Sequence, residues 1–246
     1  MDELSIRGHI SDLRRAIIPS VVMASLLTLI ASFYITDLLF NWAESFQLHT
    51  NSELAVYSPY DWYVLRWSAS ILTGVILAFP LLSYGLYKFI QPGLLEHEQI
   101  LIRNIMSTTS LIIVSSIALI VYYTPEITAK IVTLDGVEGV RVAINPISIA
   151  SIGVTISWLL TMFIILTSAL CSARALTQDY DILDGVRLRI HIIFAGMTWV
   201  LLSEDFEGIK VTLILLNALL AESLSRALLK LTINNSHGIT LPLDTK

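Results

Sequence analysis

Three carboxylates stand out by their surroundings, each beside apolar residues with a base nearby: Asp12, Glu98 and Glu222. Asp12 lies in His9-Ile10-Ser11-Asp12-Leu13-Arg14-Arg15, just before an apolar run. If this segment is helical, Ile10, Leu13, Ile17 and Ile18 share an apolar face, and His9, Asp12 and Arg15 share another, since residues three and four apart are neighbours. That pattern fits an interfacial helix anchored by arginines, or an acidic binding surface supplied by Asp12. Glu96 and Glu98 close the stretch Phe89-Ile90-Gln91-Pro92-Gly93-Leu94-Leu95-Glu96-His97-Glu98. Pro92-Gly93 should end the helix before them. A carboxylate at the rim of an apolar segment is poorly screened and can grip a guanidinium through two parallel hydrogen bonds. The competing readings are a solvated turn, or a pair with Arg103. Glu222 is the acid set deepest in an apolar segment, and Arg226 follows four residues later in the favourable order. An intrahelical pair explains it more simply than ion transport does.

Other chemistries find little support. His9, His49, His97, His191 and His237 fall in separate segments, so helical spacing assembles no metal site. Cys171, the one cysteine, allows no internal disulfide and reads as a packed thiol. The sequence holds no glycine-rich phosphate loop, no HExxH and no CxxC. Ser, His and Asp occur, but no motif joins them into a hydrolase triad. No catalytic residue, metal or cofactor is expected.

The elements that must position these residues are long and apolar. Apolar residues make up 55% of the 246, charged ones 14%, and mean hydropathy is +0.74. A soluble domain carries about 25% charged residues, so most of this surface must face something other than water. The formal net charge of −5, with scattered bases, offers no basic stripe for nucleic acid. Four stretches lack Asp, Glu, Lys and Arg: Ala16–Thr36, Trp67–Tyr87, Asn104–Pro125 and Val142–Ala173. Each exceeds the roughly 20 residues a helix needs to cross a bilayer. Asn145-Pro146 should open the fourth helix, as proline suits a first turn. Two later runs, Ile190–Ser203 and Val211–Ala221, are shorter and separated by Glu204–Lys210. They predict an antiparallel pair of short helices. Pro19 and Pro80 fall inside the first two spans and should bend them. The first run lacks a cleavage site of small residues and is expected to be a retained span rather than a signal peptide. The expected fold is all-α: one polytopic domain over residues 1–230 with six transmembrane helices in a concave bundle, the last two short, and a polar tail over 231–246. The spans are placed near 16–36, 63–88, 104–125, 146–172, 190–203 and 209–228.

Orientation follows from the bases. With the N-terminus inside, alternation places Arg66, Lys130, Arg141 and Lys210 outside and the rest of the 15 lysines and arginines inside. Both termini are therefore expected in the cytoplasm. Asp37–Asp61 reads as a long outer loop, Asp135–Val140 as an outer turn, and Trp62, Tyr63, Trp67, Tyr122 and Tyr123 as an interfacial belt.

With these residues in order, the sequence resembles the TatC family, core receptor subunits of the twin-arginine protein translocase, over roughly His9 to Arg226. His9-Ile10-Ser11-Asp12-Leu13-Arg14 is similar to the family's H-x-x-E-L-R before its first helix. Ser58-Pro59 resembles the start of its second. The most specific likeness is Phe79-Pro80, Tyr84, Tyr87, Phe89-Ile90-Gln91-Pro92-Gly93-Leu94 and Glu98, against P-x-x-x-Y-Q-x-W-x-F-I-x-P-G-L-x-x-x-E. Leu183–Arg189, Glu222, Arg226 and the two short final helices fit as well. The departures are specific. Asp12 replaces glutamate, Gly85 and Tyr87 replace glutamine and tryptophan, and Leu202-Ser203-Glu204-Asp205 replaces a T-P-P-D turn. Thr155–Ala169 lacks the family's acid in the fourth helix.

The resemblance implies Sec-independent passage of folded proteins across the cytoplasmic membrane, driven by the proton-motive force, by binding rather than by covalent chemistry. It assigns signal-peptide binding to Glu98, Asp12 and Phe89, with Glu96 and Arg14 beside them, and structural or partner-binding roles to Pro80, Pro92, Gly93, Glu222 and Arg226. Expected partners are paired-arginine signal peptides, TatA-like and TatB-like single-span proteins, the lipid bilayer and a second copy of the chain. The alternatives are a small-solute or ion transporter, a TatC-like paralogue with reduced transport, and a membrane-embedded hydrolase or structural subunit.

Overall fold

The structure, a computed structural model, describes residues 3–50, 59–134, 146–177, 180–202 and 204–237. Every regular element among them is helical. Helix α1 spans Glu3–Thr50, α2 Pro59–Ile90, α3 Glu96–Leu134, α4 Pro146–Leu176, α5 Tyr180–Leu201 and α6 Lys210–His237. Short 3₁₀ turns at Gln91–Gly93 and Glu204–Ile209 precede α3 and α6. Proline opens both α2 and α4, where the missing N–H has no helical partner to lose. Pro92-Gly93 follows directly on the end of α2. The expected turn at 135–140, residues 51–58, and most of the tail lie outside the described residues.

One expectation needs correction. Asp37–Thr50 is not part of a loop, because α1 continues through it. Its first turns carry Leu38, Leu39 and Phe40 with no proline or glycine to stop the helix. Ile35 and Leu39 are buried against Leu65 and Ala69 of α2 and Ile147 and Ala150 of α4, so packing rewards the extension. An absence of bases marks a side of the membrane; it does not mark irregular backbone.

Helix α4 is the hub. It touches α2, α3, α5 and α6, while α1 packs chiefly on α2. Near their starts, α2 and α4 meet through Leu65, Ala69, Ile147 and Ala150. Further along, Leu72, Ile76 and Phe79 meet Trp158 and Met162, with Ile113 of α3 between. The two helices therefore run parallel. At the far end Leu166 and Leu170 of α4 enclose Ala221 of α6. The starts of α1, α3 and α5 and the later turns of α2, α4 and α6 thus share one end of the bundle. Most charged groups described below sit there, so we term it the charged end.

The α1–α2 contact is backbone-close. A Cβ on Gly74 would stand 2.7 Å from the Ala24 carbonyl oxygen, and one on Gly85 would stand 2.5 Å from that of Ala16. Small residues let helices approach where no water is available to drive them together. Elsewhere the apolar faces turn outward. Among the described residues, five helices are long and apolar enough to cross a membrane, and only 11% of the most apolar window of α1 is buried. Leu26, Leu29, Phe33 and Tyr34 of α1 and Val200 and Leu219 of the last two helices are exposed. That much apolar surface is stable only in a hydrocarbon solvent.

Candidate functional site

At the charged end, the start of α1 and the last turns of α2 enclose a groove of about 860 Å³. Asp12 and Arg15 line one wall, Lys88 and Phe89 the other, and Pro92 and Gly93 the rim. Gly85 and Ala16, whose backbones approach closely, line it as well. Pro19 and Tyr84 add apolar and aromatic surface. Asp12 is exposed, with its carboxylate open to ligands, and Phe89 is half-buried. The groove joins one carboxylate and two cations, Arg15 and Lys88, to a long, mostly apolar channel. That suits the apolar body of a peptide.

The turn from α2 into α3 is rigid. Gln99 donates its side-chain amide to the Leu94 carbonyl at 3.0 Å and the Gln91 carbonyl at 3.4 Å. Gln91 donates to the Gln99 Oε1 at 3.4 Å. Glu98 Oε2 accepts the Leu95 backbone N–H at 2.9 Å. Leu95 immediately precedes α3, so Glu98 is the third helical residue reaching back to the cap, half of a capping box. Glu98 therefore has a structural task. Its bond engages one oxygen lone pair of a group that offers about four, so capacity for a guanidinium remains. Glu96 is exposed on the same turn. Arg103 is not the partner of Glu98: no ion pair joins them.

Of the residues singled out from sequence, Asp12, Phe89, Pro92 and Gly93 come together in the groove. Glu98, Glu96 and Arg14 do not line it; the first two stand on the adjoining turn and Arg14 is exposed on α1. Pro80 lines a separate cavity between α2 and α3. Arg15 and Lys88 were missed as groove residues, although Arg15 falls three residues after Asp12.

Glu222 and Arg226 form the expected intrahelical pair at 2.7 Å, but two more arginines join it. Arg174 at the end of α4 and Arg187 near the start of α5 both bond Glu222 Oε1. Arg174 also donates to Ser225 Oγ at 2.7 Å, and Arg187 to Asp184 at 2.6 Å. One carboxylate oxygen thus ties three helices together. Sequence spacing reveals only the partner on the same helix; Arg174 and Arg187 are 48 and 35 residues away. Among the described residues, no group of three or more His, Cys, Asp or Glu could hold a metal.

Residues 8–177, more than half of the 246, match the family TatC, Sec-independent protein translocase protein. The chain belongs to the TatC family. Two curated TatC proteins are similar over shorter stretches. One, from Akkermansia muciniphila, is 41% identical over 54 residues, 22% of this chain and 16% of that protein. The other, from Methanocella arvoryzae, is 27% identical over 97 residues, 39% of this chain and 40% of that protein. The matched stretch thus spans less than half of either relative. The crystal structure of a twin-arginine translocase receptor, TatC, shares the fold with a TM-score of 0.56 at 17% identity, covering 88% of this chain and 96% of that one. TatC proteins are protein translocase components, and this member is a multi-pass membrane protein.

Proposed function

We propose that this chain is the receptor of a Sec-independent translocase, binding twin-arginine signal peptides of folded cargo at the cytoplasmic face of the cell membrane. The observation that carries the reading is the 860 Å³ groove with Asp12 on its wall and the Glu96–Glu98 turn following its rim at Gly93. The groove itself holds two cations, Arg15 and Lys88, against Asp12. Glu96 and Glu98 reverse that balance, so the paired arginines belong at the turn and the apolar stretch of the peptide in the groove. Both termini lie in the cytoplasm in this reading, which puts the charged end there too. Single-span TatA-like and TatB-like proteins complete the complex, and the proton-motive force drives passage. Recognition by carboxylates at fixed positions favours arginine over lysine, because only the guanidinium fork bonds both oxygens at once.

Glu98→Gln tests the reading without disturbing the fold. Glutamine keeps the acceptor for the Leu95 N–H, since both Glu and Gln serve at that capping position, and removes the charge. The expected outcome is an unchanged melting temperature with loss of roughly tenfold or more in affinity for a paired-arginine peptide, the scale of one charged hydrogen-bonded pair. Asp12→Asn should weaken binding further. Retained affinity in the Glu98→Gln, Asp12→Asn double variant would reject the site.

A further inference from the structure

A second cavity, of about 290 Å³, opens between α2 and α3. Ser83, Tyr84 and Tyr87 line it from α2, and Arg103, Ser107 and Ser110 from α3. Ser110 donates to the Met106 carbonyl at 2.9 Å and lies 3.2 Å from Ser83 Oγ, where its oxygen can accept the Ser83 hydroxyl, so the floor is satisfied internally. The walls are not. Among the described residues nothing bonds the Arg103 guanidinium or the hydroxyls of Tyr84, Tyr87 and Ser107. No acidic residue lines the cavity. Its polar groups are an unpaired arginine and hydroxyl donors, which together ask for an anion with several acceptor oxygens.

The setting identifies the source of that anion. The apolar span of α3 begins at Glu98, so Arg103 enters it by only about 7 Å at 1.5 Å per residue. Side chains on a helix lean toward its N-terminus, which turns Arg103 back toward the charged end, at the depth of lipid headgroups. Above the cavity, exposed apolar residues continue along both helices: Leu77 at 53% on α2, and Leu111 at 69% and Val114 at 40% on α3. The geometry points to a site for an anionic phospholipid. Its phosphodiester oxygens bond Arg103, Tyr87 and Ser107, and its acyl chains lie along Leu77, Leu111 and Val114. A soluble phosphate would gain the same hydrogen bonds but leave those apolar stripes uncovered.

The test uses the intact protein in detergent and native mass spectrometry. Phosphatidylglycerol, diacylglycerol of the same acyl chains, and glycerol phosphate are the probes. Wild type should retain one phosphatidylglycerol with roughly five- to tenfold preference over diacylglycerol, as one well-placed arginine near a membrane surface supplies. Arg103→Gln should bring the preference to near parity, and Arg103→Lys should keep part of it. Should Arg103→Gln fail to fold, the Tyr87→Phe, Ser107→Ala pair reads the same site and should lower the preference about threefold. Millimolar glycerol phosphate should leave the lipid bound. The proposal fails if these variants keep the wild-type preference, if Arg226→Gln abolishes it instead, or if glycerol phosphate displaces the lipid.

Discussion

Replacing Glu222 by glutamine should loosen the end of the bundle where α4, α5 and α6 meet. The carboxylate is 15% exposed and Arg174 only 7%. Arg187 is 25% exposed and Arg226, reaching in from solvent, 61%. Glutamine keeps the shape and one acceptor oxygen but leaves three guanidiniums crowded with only Asp184, beside Arg187, as a counter-charge. Breaking a buried ion pair from one side costs about 3–5 kcal/mol. Partial exposure argues for the lower bound, so we expect about 3 kcal/mol. Scaled as for a globular chain of this length, that lowers the melting temperature by roughly 6–12 °C. Tryptophan fluorescence during heating of the purified protein in detergent measures the shift. The same exposures rank the partners. Arg226→Gln should cost no more than about 1 kcal/mol, as exposed pairs do, while Arg174→Gln should approach Glu222→Gln. A shift under about 2 °C for Glu222→Gln, or equal shifts for Arg226→Gln and Arg174→Gln, would refute the claim that burial sets the worth of this cluster.

The α1–α2 contact gives a sharper steric test: Gly85→Val and Gly74→Val should each destabilise by more than about 2 kcal/mol, since carbonyls of Ala16 and Ala24 occupy the space. The same thermal scan should show Gly196→Ala gaining up to about 1 kcal/mol, because nothing lies within 4 Å of a Cβ there. Trp158 donates its indole N–H to Ser68 Oγ at 3.2 Å. Ser68→Ala and Trp158→Phe should thus be less than additive, with a coupling of about 1 kcal/mol in a double-mutant cycle.

How much of this was legible in the sequence depended on whether a feature is local. Charge-free runs fall within four helices, and Pro92-Gly93 and Pro146 stand at helix boundaries, because span length and proline chemistry act along the chain. Asp37–Thr50 misled because its sparse charges were read as a loop, whereas Ile35 and Leu39 find partners on α2 and α4. The motif around Phe89–Glu98 lies at the charged end of the bundle. It could not show that Glu98 caps α3 and stands beside the groove instead of lining it. Arg174 and Arg187 were invisible as partners of Glu222, since only the packing of Leu166 and Leu170 on Ala221 puts the ends of α4 and α6 together. Gly74 and Gly85 read as ordinary span glycines until a neighbouring backbone filled the space of their side chains.

The charged end thus sorts its acids into two kinds, and the sorting limits which can act on a ligand. Glu222 already meets three guanidiniums at one oxygen. A further arginine would bring a fourth like charge into a place that is already positive, so Glu222 serves the fold. Glu98 is half committed, through one backbone N–H that a guanidinium need not displace. Asp12 and Glu96 are exposed. Among these four, Asp12, Glu96 and Glu98 retain the acceptor capacity that the proposed recognition of paired arginines needs. All three sit on or next to the tight turn and close helix pair that hold their backbones still, and carboxylates placed this way lose little on binding to ordering. A ligand search by mutation should therefore concentrate on Asp12, Glu96 and Glu98, and a variant of Glu222 that lowers peptide binding should do so only in proportion to its loss of stability.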